Sequence, residues 1–329
     1  MHTGLRWLAS AGLCLLLPAM AGAQALPANA KAILLHHSTG GMVYEKGAVP
    51  ACVAQWNLAC GTAYEIVAED FPTRSYGWKN YPYDYWRLWV DAPGEAGQRT
   101  LAELAAAYDV IVWKHCYPGA AIEADTGVPD IACEARRLEN YRLQYQALKS
   151  AMRRYADTRF VVWTLAALVS SATTPAQAAR ARAFKEWVIN AWDEPGDNIF
   201  VWDFFELETA GGDVLLPAHA GRGSHPGTFF CMSAGPLLAR RVIDVIEGRG
   251  DGSVPIDSDG DGIVDSIDNC PARANPDQAD VDADGRGDLC DACPHDPGND
   301  ADGDGCCDSP SQRPRPPPNI RISKVPPGP

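Results

Sequence analysis

Two sets of residues carry spacings that point to chemistry. Between Asp257 and Asp308 the chain sets Asp at relative positions 0, +2, +4 and +8, with Gly at +5, three times over. The copies are Asp257/Asp259/Asp261/Asp265, Asp280/Asp282/Asp284/Asp288 and Asp300/Asp302/Asp304/Asp308, with Gly262, Gly285 and Gly305 at the bend. The first two add Asp268 and Asp291 at +11, where the third has Ser311. Alternate residues of a tight loop converge on one centre, so these oxygens suit a hard cation, Ca2+, while glycine permits the sharp turn. This stretch holds sixteen aspartates and two arginines, a net −14 that equals the formal charge of the whole chain. The remainder is therefore close to neutral, and no nucleic-acid partner is expected.

The second set points to nucleophilic catalysis. A short apolar run at 31–36 ends in His36-His37-Ser38-Thr39-Gly40-Gly41, and far downstream stands Gly223-Ser224-His225-Pro226-Gly227. A serine just past a strand and before glycine can expose its hydroxyl and lend backbone N–H groups to an oxyanion. A histidine on a late loop can serve as its base, since such sites are defined by geometry and not by chain order. The bland readings are a strand-end cap for Ser38 and a turn for His225-Pro226. Five histidines (His36, His37, His115, His219, His225) also admit a zinc reading, but no metal-ligand spacing supports it, and neighbours on a strand face opposite ways.

An acidic run poor in apolar residues is ordinarily a solvated linker. Here the spacing recurs in register, five cysteines accompany it, and nothing in it can form an apolar core. Order must then come from metal and disulfides. An EF-hand needs an apolar-periodic helix on leaving the loop; this chain continues instead with Asn269-Cys270-Pro271 and Asn275-Pro276-Asp277-Gln278. The stretch DSDGDGIVDSIDNCPARANPDQADVDADGRGDLCDACP closely resembles thrombospondin type 3 repeats over about fifty residues. The resemblance implies calcium binding in a core-less, disulfide-braced spacer. It also implies a Cys270–Cys290 pair, with Cys293 joining Cys306 or Cys307.

The elements that must position Ser38 and His225 read as alternating strand and helix. Apolar runs at 31–36, 109–115, 159–166 and 198–205 predict strands. Leu138, Tyr141, Tyr145, Leu148, Met152 and Tyr155 recur at steps of three and four, marking one helix face. A second helix starts at Thr174-Pro175 and stops before Pro195-Gly196, and a third spans 236–247 before Gly248. Such alternation predicts a parallel sheet covered by helices, with chemistry at the carboxyl ends of the strands. Lys114-His115-Cys116-Tyr117 falls at one of those ends.

These blocks resemble the SGNH (GDSL-type) hydrolases across most of residues 30–247. The resemblance implies a flavodoxin-like three-layer α/β/α sandwich, with Ser38 as nucleophile, His225 as base and Gly77, in Tyr76-Gly77-Trp78, as an oxyanion donor. Two departures stand out. Arg222 occupies the place of the family's Asp three residues before the histidine, and Lys114-His115 stand roughly where a Gly-x-Asn-Asp block belongs. Asp203, after the fourth predicted strand, is either a replacement carboxylate or a cap. The aromatic stretch 76–89 is either the lining of a sugar cleft or packing.

The N-terminus sets the compartment. Residues 1–25 read as a secretory signal peptide, with Arg6, an apolar stretch from Trp7 to Met20 and a small-residue cleavage site. That stretch is shorter than the ~20 residues of a spanning helix, and no later one qualifies. Export makes disulfides the expected state of close cysteines, here Cys52–Cys60 and Cys116–Cys133. Odd counts in both halves leave Cys231 either free or paired across them. The expected organisation is a signal peptide (1–25), a hydrolase-like domain (26–250), calcium-binding repeats (251–309) and a Pro-rich tail (310–329). The expected function is an exported, periplasmic, cell-surface or extracellular esterase whose substrate is an ester, an acylated carbohydrate by fold analogy alone. The rival is a non-catalytic surface-binding or adhesion protein that keeps the fold.

Overall fold

The computed structural model describes residues 25–73, 76–77, 81–249, 259, 268–270, 273–282, 285–291 and 293–296. The signal peptide, the Pro-rich tail and the whole third acidic copy (Asp300, Asp302, Asp304, Asp308) lie outside the described residues, as do Asp257, Asp261, Asp265 and Asp284.

Five parallel strands form one sheet: β1 (Lys31–His36), β2 (Glu65–Asp70), β3 (Val110–Lys114), β4 (Arg159–Trp163) and β5 (Ile199–Trp202). Their order is β2-β1-β3-β4-β5, the flavodoxin-like arrangement. Both faces are covered, so β3 and β4 are buried at every residue, as parallel strands require. The period of two sorts side chains between two cores. Ile33, Leu35, Ile111, Trp113, Phe160 and Val162 meet Tyr141, Tyr145, Leu148 and Phe184 on one side. Ala32, Leu34, Val112, Val161 and Trp163 meet Val43, Val53, Leu238 and Val242 on the other.

Among the described residues, eight α-helices connect and cover the strands: α1 (Thr39–Lys46), α2 (Val49–Cys60), α3 (Pro82–Trp86), α4 (Leu101–Ala107), α5 (Leu138–Met152), α6 (Pro175–Trp187), α7 (Phe204–Thr209) and α8 (Thr228–Ile246). The predicted apolar face of α5 is buried from Leu138 to Met152. Helix α6 begins as expected, with Thr174 accepting from the Gln177 N–H in a capping box and Pro175 in the first turn.

Four expectations need correction. Strand β2 was not foreseen, because this edge strand carries Glu65, Glu69 and Asp70 and offers no continuous apolar run. Helix α8 begins at Thr228, not at 236, with Pro236 inside it. An interior proline costs about 3 kcal/mol, but the earlier turns bury Phe230, Cys231 and Ala234, and Gly235 meets Gly47 of the α1–α2 connection backbone to backbone. Cys52 is a free thiol and Cys60 forms a disulfide, but not with Cys52. Both lie on α2, and eight residues of helix separate them by about 12 Å, twice the Cα spacing a disulfide spans. Cys116 and Cys133 are likewise not disulfide-bonded to each other: the first is buried beneath the β1–α1 turn, while the second accepts from the Ala135 N–H at 3.4 Å.

Of the aromatic stretch 76–89, the described part from Tyr81 to Trp89 is mainly packing, while Trp78 lies outside the described residues. Tyr81, Tyr85, Trp86 and Trp89 are buried, and Tyr85 packs edge-on against Trp89 and His115 and tilted against Trp113, at 4.8–5.3 Å.

Candidate active site

The strand order reverses between β1 and β3, where β1 is followed in sequence by β2 on one side and β3 takes the other. A crevice opens outside the carboxyl ends of strands at such a switch point. β1 delivers His36-His37-Ser38 to it, and β3 delivers Lys114-His115-Cys116-Tyr117.

Ser38 makes the turn from β1 into α1 at φ 42°, ψ −96°. A non-glycine residue there stores about 1–3 kcal/mol of backbone strain, which the surrounding packing must sustain. Gly40 and Gly41 let the helix sit close: a Cβ on Gly40 would lie 2.6 Å from His36 Cβ and 2.8 Å from Lys114 Cδ, and one on Gly41 2.9 Å from His36 Cε1. Ser38 is exposed, and its hydroxyl makes no cap to α1. It pairs instead with His225 Nε2 across 187 residues of sequence.

His225 is held from two further sides. Its Nδ1 faces the Arg222 carbonyl at 3.1 Å, and because a carbonyl only accepts, Nδ1 carries the proton and Nε2 presents a lone pair to the Ser38 hydroxyl. Tyr117 packs edge-on against the imidazole at 5.0 Å. The loop is tied by Gly221 N–H to His225 O at 2.7 Å and Gly227 N–H to His219 O at 2.7 Å. Buried Ser224 accepts from the Val169 N–H at 3.1 Å, anchoring the loop to the segment after β4. Residue 222 therefore orients the base with its main chain, where a carboxylate was sought in its side chain.

Asp203 does not join this pair. It caps α7, accepting from the Glu206 N–H at 3.2 Å and the Thr164 hydroxyl at 3.1 Å, with Lys185 Nζ 3.1 Å from its other oxygen. Burial pushes its carboxyl up, against the pull of Lys185. The cap reading of Asp203 therefore replaces the base-orienting one: both its oxygens already have partners. Gly77 lies exposed on the loop after β2, with open space around its Cα.

Beneath the turn the charges are arranged around Lys114. It is 1% exposed, and its Nζ donates to the His37 carbonyl at 3.2 Å and approaches Cys116 Sγ at 3.0 Å. Burial, then Lys114, lowers His36 to about 4 and His115 to about 3. His115 also bonds to the Tyr145 hydroxyl at 2.9 Å, inside the core. Both rings are neutral at neutral pH. The sequence places Lys114 at a strand end but does not show its contact with the turn that carries Ser38; a lysine within an apolar strand was the available signal.

In the acidic segment, Cys270 and Cys290 form a disulfide. The second loop closes on itself, with Asp280 accepting from the Gly285 N–H at 3.1 Å and Asp288 from the Val281 N–H at 2.9 Å. Gly285 has φ +91°, and a Cβ on Gly287 would lie 2.4 Å from Asn269 Oδ1. Asp268 bridges the Cys270 N–H and the Gln278 amide, both at 2.8 Å, through one oxygen. Its other oxygen, and one of Asp280, are buried without a hydrogen-bond partner. Anionic oxygens so placed fit a cation. Among the described residues no cluster of three or more metal-ligating side chains is assembled.

Residues 247–278 match the thrombospondin type 3 repeat. No curated protein matches the chain. Among the described residues, no helix is long and apolar enough to cross a membrane.

Proposed function

We propose that the α/β domain is a serine hydrolase of the SGNH type, cleaving ester bonds in an exported protein. The contact between Ser38 and His225 Nε2, with Nδ1 bound to the Arg222 carbonyl, carries this reading. As Ser38 Oγ attacks the ester carbonyl carbon, its proton passes to Nε2 and the carbonyl π pair moves onto oxygen. Collapse of that intermediate expels the alcohol, which takes the proton back from His225 and leaves an acyl-serine. Water, deprotonated by the same ring, then releases the acid. Gly77 is placed by resemblance as one oxyanion donor. An acylated carbohydrate is the substrate suggested by fold analogy alone.

The acidic segment is proposed to bind Ca2+ through Asp257, Asp259, Asp261, Asp265 and Asp268 in the first loop and Asp280, Asp282, Asp284, Asp288 and Asp291 in the second. Asp300, Asp302, Asp304 and Asp308 form the third set. The ion would tie oxygens of a chain that lacks an apolar core. The orphaned oxygens of Asp268 and Asp280 support this.

A fluorophosphonate probe tests the enzyme reading. Purified protein should be labelled at Ser38, and Ser38→Ala and His225→Ala should each abolish labelling and p-nitrophenyl acetate turnover with an unchanged circular dichroism spectrum. Absence of labelling in the parent would leave a surface-binding protein as the better account.

A further inference from the structure

The peptide joining His37 to Ser38 is trans, so its carbonyl and its N–H point in opposite directions. Three donors converge on that carbonyl: the Gly40 N–H at 3.0 Å, Lys114 Nζ at 3.2 Å and the Cys116 thiol at 3.4 Å. The carbonyl is thereby fixed inward. The Ser38 N–H, at the other end of the same peptide, has no acceptor among the described residues and belongs to the residue whose side chain is exposed.

Lys114 is an unusual group to find there. It is buried, its ammonium stands 5.7 Å from the Trp163 ring centre, and no carboxylate lies within ion-pair distance of it among the described residues. Glu208 is buried in the same region, where its carboxyl accepts from the Ala167 N–H at 2.6 Å. Burial pushes that carboxyl well above its usual range, toward the neutral acid, with Lys114 opposing. An ammonium removed from water without a counter-ion costs several kcal/mol. A methionine of similar length would fill this space without that cost, so packing alone does not account for the charge.

We infer that Lys114 is a positioning residue for the oxyanion. By holding the His37 carbonyl inward, its ammonium turns the Ser38 N–H outward, toward the oxygen that becomes negative when Ser38 attacks an ester. Polarisation of the peptide by a full positive charge strengthens that N–H as a donor. The inference rests on the reading of Ser38 as nucleophile. It gives Lys114 the task of preparing the main chain for a charge that exists only in the transition state.

Two variants separate the donor from the space it fills. Lys114→Met keeps the length and loses the donor; Lys114→Gln keeps an N–H for the His37 carbonyl. With p-nitrophenyl acetate, Lys114→Met should lower kcat by about 10²-fold, the scale of losing one oxyanion donor, with KM little changed. Lys114→Gln should recover at least about ten-fold of that loss. A folded Met variant whose kcat stays within about three-fold of the parent overturns the inference; so does equal impairment of the two, or a loss confined to KM.

A measurement on the parent protein stands even if Lys114→Met does not fold. With ¹⁵N-serine labelling, the Ser38 amide resonance should move downfield on fluorophosphonate adduct formation, as its N–H meets the polarised phosphonyl oxygen that stands in for the oxyanion. A labelled Ser38 whose amide does not move overturns the inference and leaves the serine hydrolase intact. A parent that is never labelled overturns both.

Discussion

The α/β domain and the acidic segment reach order by opposite means. In the domain, two apolar layers on either side of one sheet bury whole strands, and polar groups inside find partners or are held neutral. In the segment, described backbone is held by a disulfide and by aspartates that accept from nearby N–H groups, with carboxylate oxygens left over. Burial acts through water, which every solution supplies. The segment depends on an oxidising compartment and, on our proposal, on a dissolved ion. On that proposal, one chain contains a part ordered mainly by burial and a part whose order is set by its surroundings.

The sharpest way to break that contrast is through the site. Ser38→Ala and His225→Ala should each lower kcat by about 10⁴–10⁶ while the calcium response of the segment stays as in the parent, read by turnover and calorimetry. Next, chelation should open the segment to proteases while esterase activity and the domain's melting transition persist. Extracellular sites of this kind bind at about 10⁻⁴–10⁻³ M, so calcium titration should restore protection in that range. Loss of activity on chelation would join the two regions that the comparison separates.

Smaller effects sharpen the same contrast. The Cys270–Cys290 bridge spans a sequence separation of 20 residues. Closing such a loop contributes about 3 kcal/mol through the unfolded chain, so Cys270→Ser should raise the calcium needed for protection, leaving the domain's urea midpoint in place. Gly235→Ala should do the reverse. Its Cβ would lie 2.3 Å from Gly47 Cα, and overpacking of this kind costs about 1–3 kcal/mol, visible as a lower urea midpoint with calcium binding retained.

The smallest effect concerns protons. His115 titrates at about 3 when folded, because of burial and then Lys114, against 6.5 as the ordinary value. Below pH 6.5 the unfolded chain takes up a proton that the folded one refuses, so stability falls as pH falls. Lowering the pH from 6.5 to 5.5 should remove about 1 kcal/mol for this residue. Urea midpoints across that interval check it, and His115→Asn should flatten the dependence.

How much of this was legible in residue identities depended on which force does the ordering. β1 is bounded as its apolar run predicts, and the α5 face follows its periodicity, because burial selects side chains by type. Edge strand β2 escaped because half of its side chains answer to water. The Cys52–Cys60 expectation failed because nearness in sequence was taken for nearness in space, which a helix denies. At the site, Ser38 and His225 were readable as residue types. That a backbone carbonyl could stand in for a carboxylate at His225 Nδ1 was also readable; which carbonyl was not, since a main-chain carbonyl belongs to every residue and leaves no mark on the sequence.

The meeting of Gly47 with Gly235 bears on more than packing. Ser38 and His225 stand just ahead of α1 and α8, and the glycines follow them by nine and ten residues. The two helices thus resemble the arms of a caliper, pinned at one end and opening onto the serine and the imidazole at the other. The gap between Ser38 Oγ and His225 Nε2 is then a property of the pin. On the proposed hydrolase reading, a single methyl group added there, remote from the site, would be read out as a change in reaction rate before it was noticed as a change in shape.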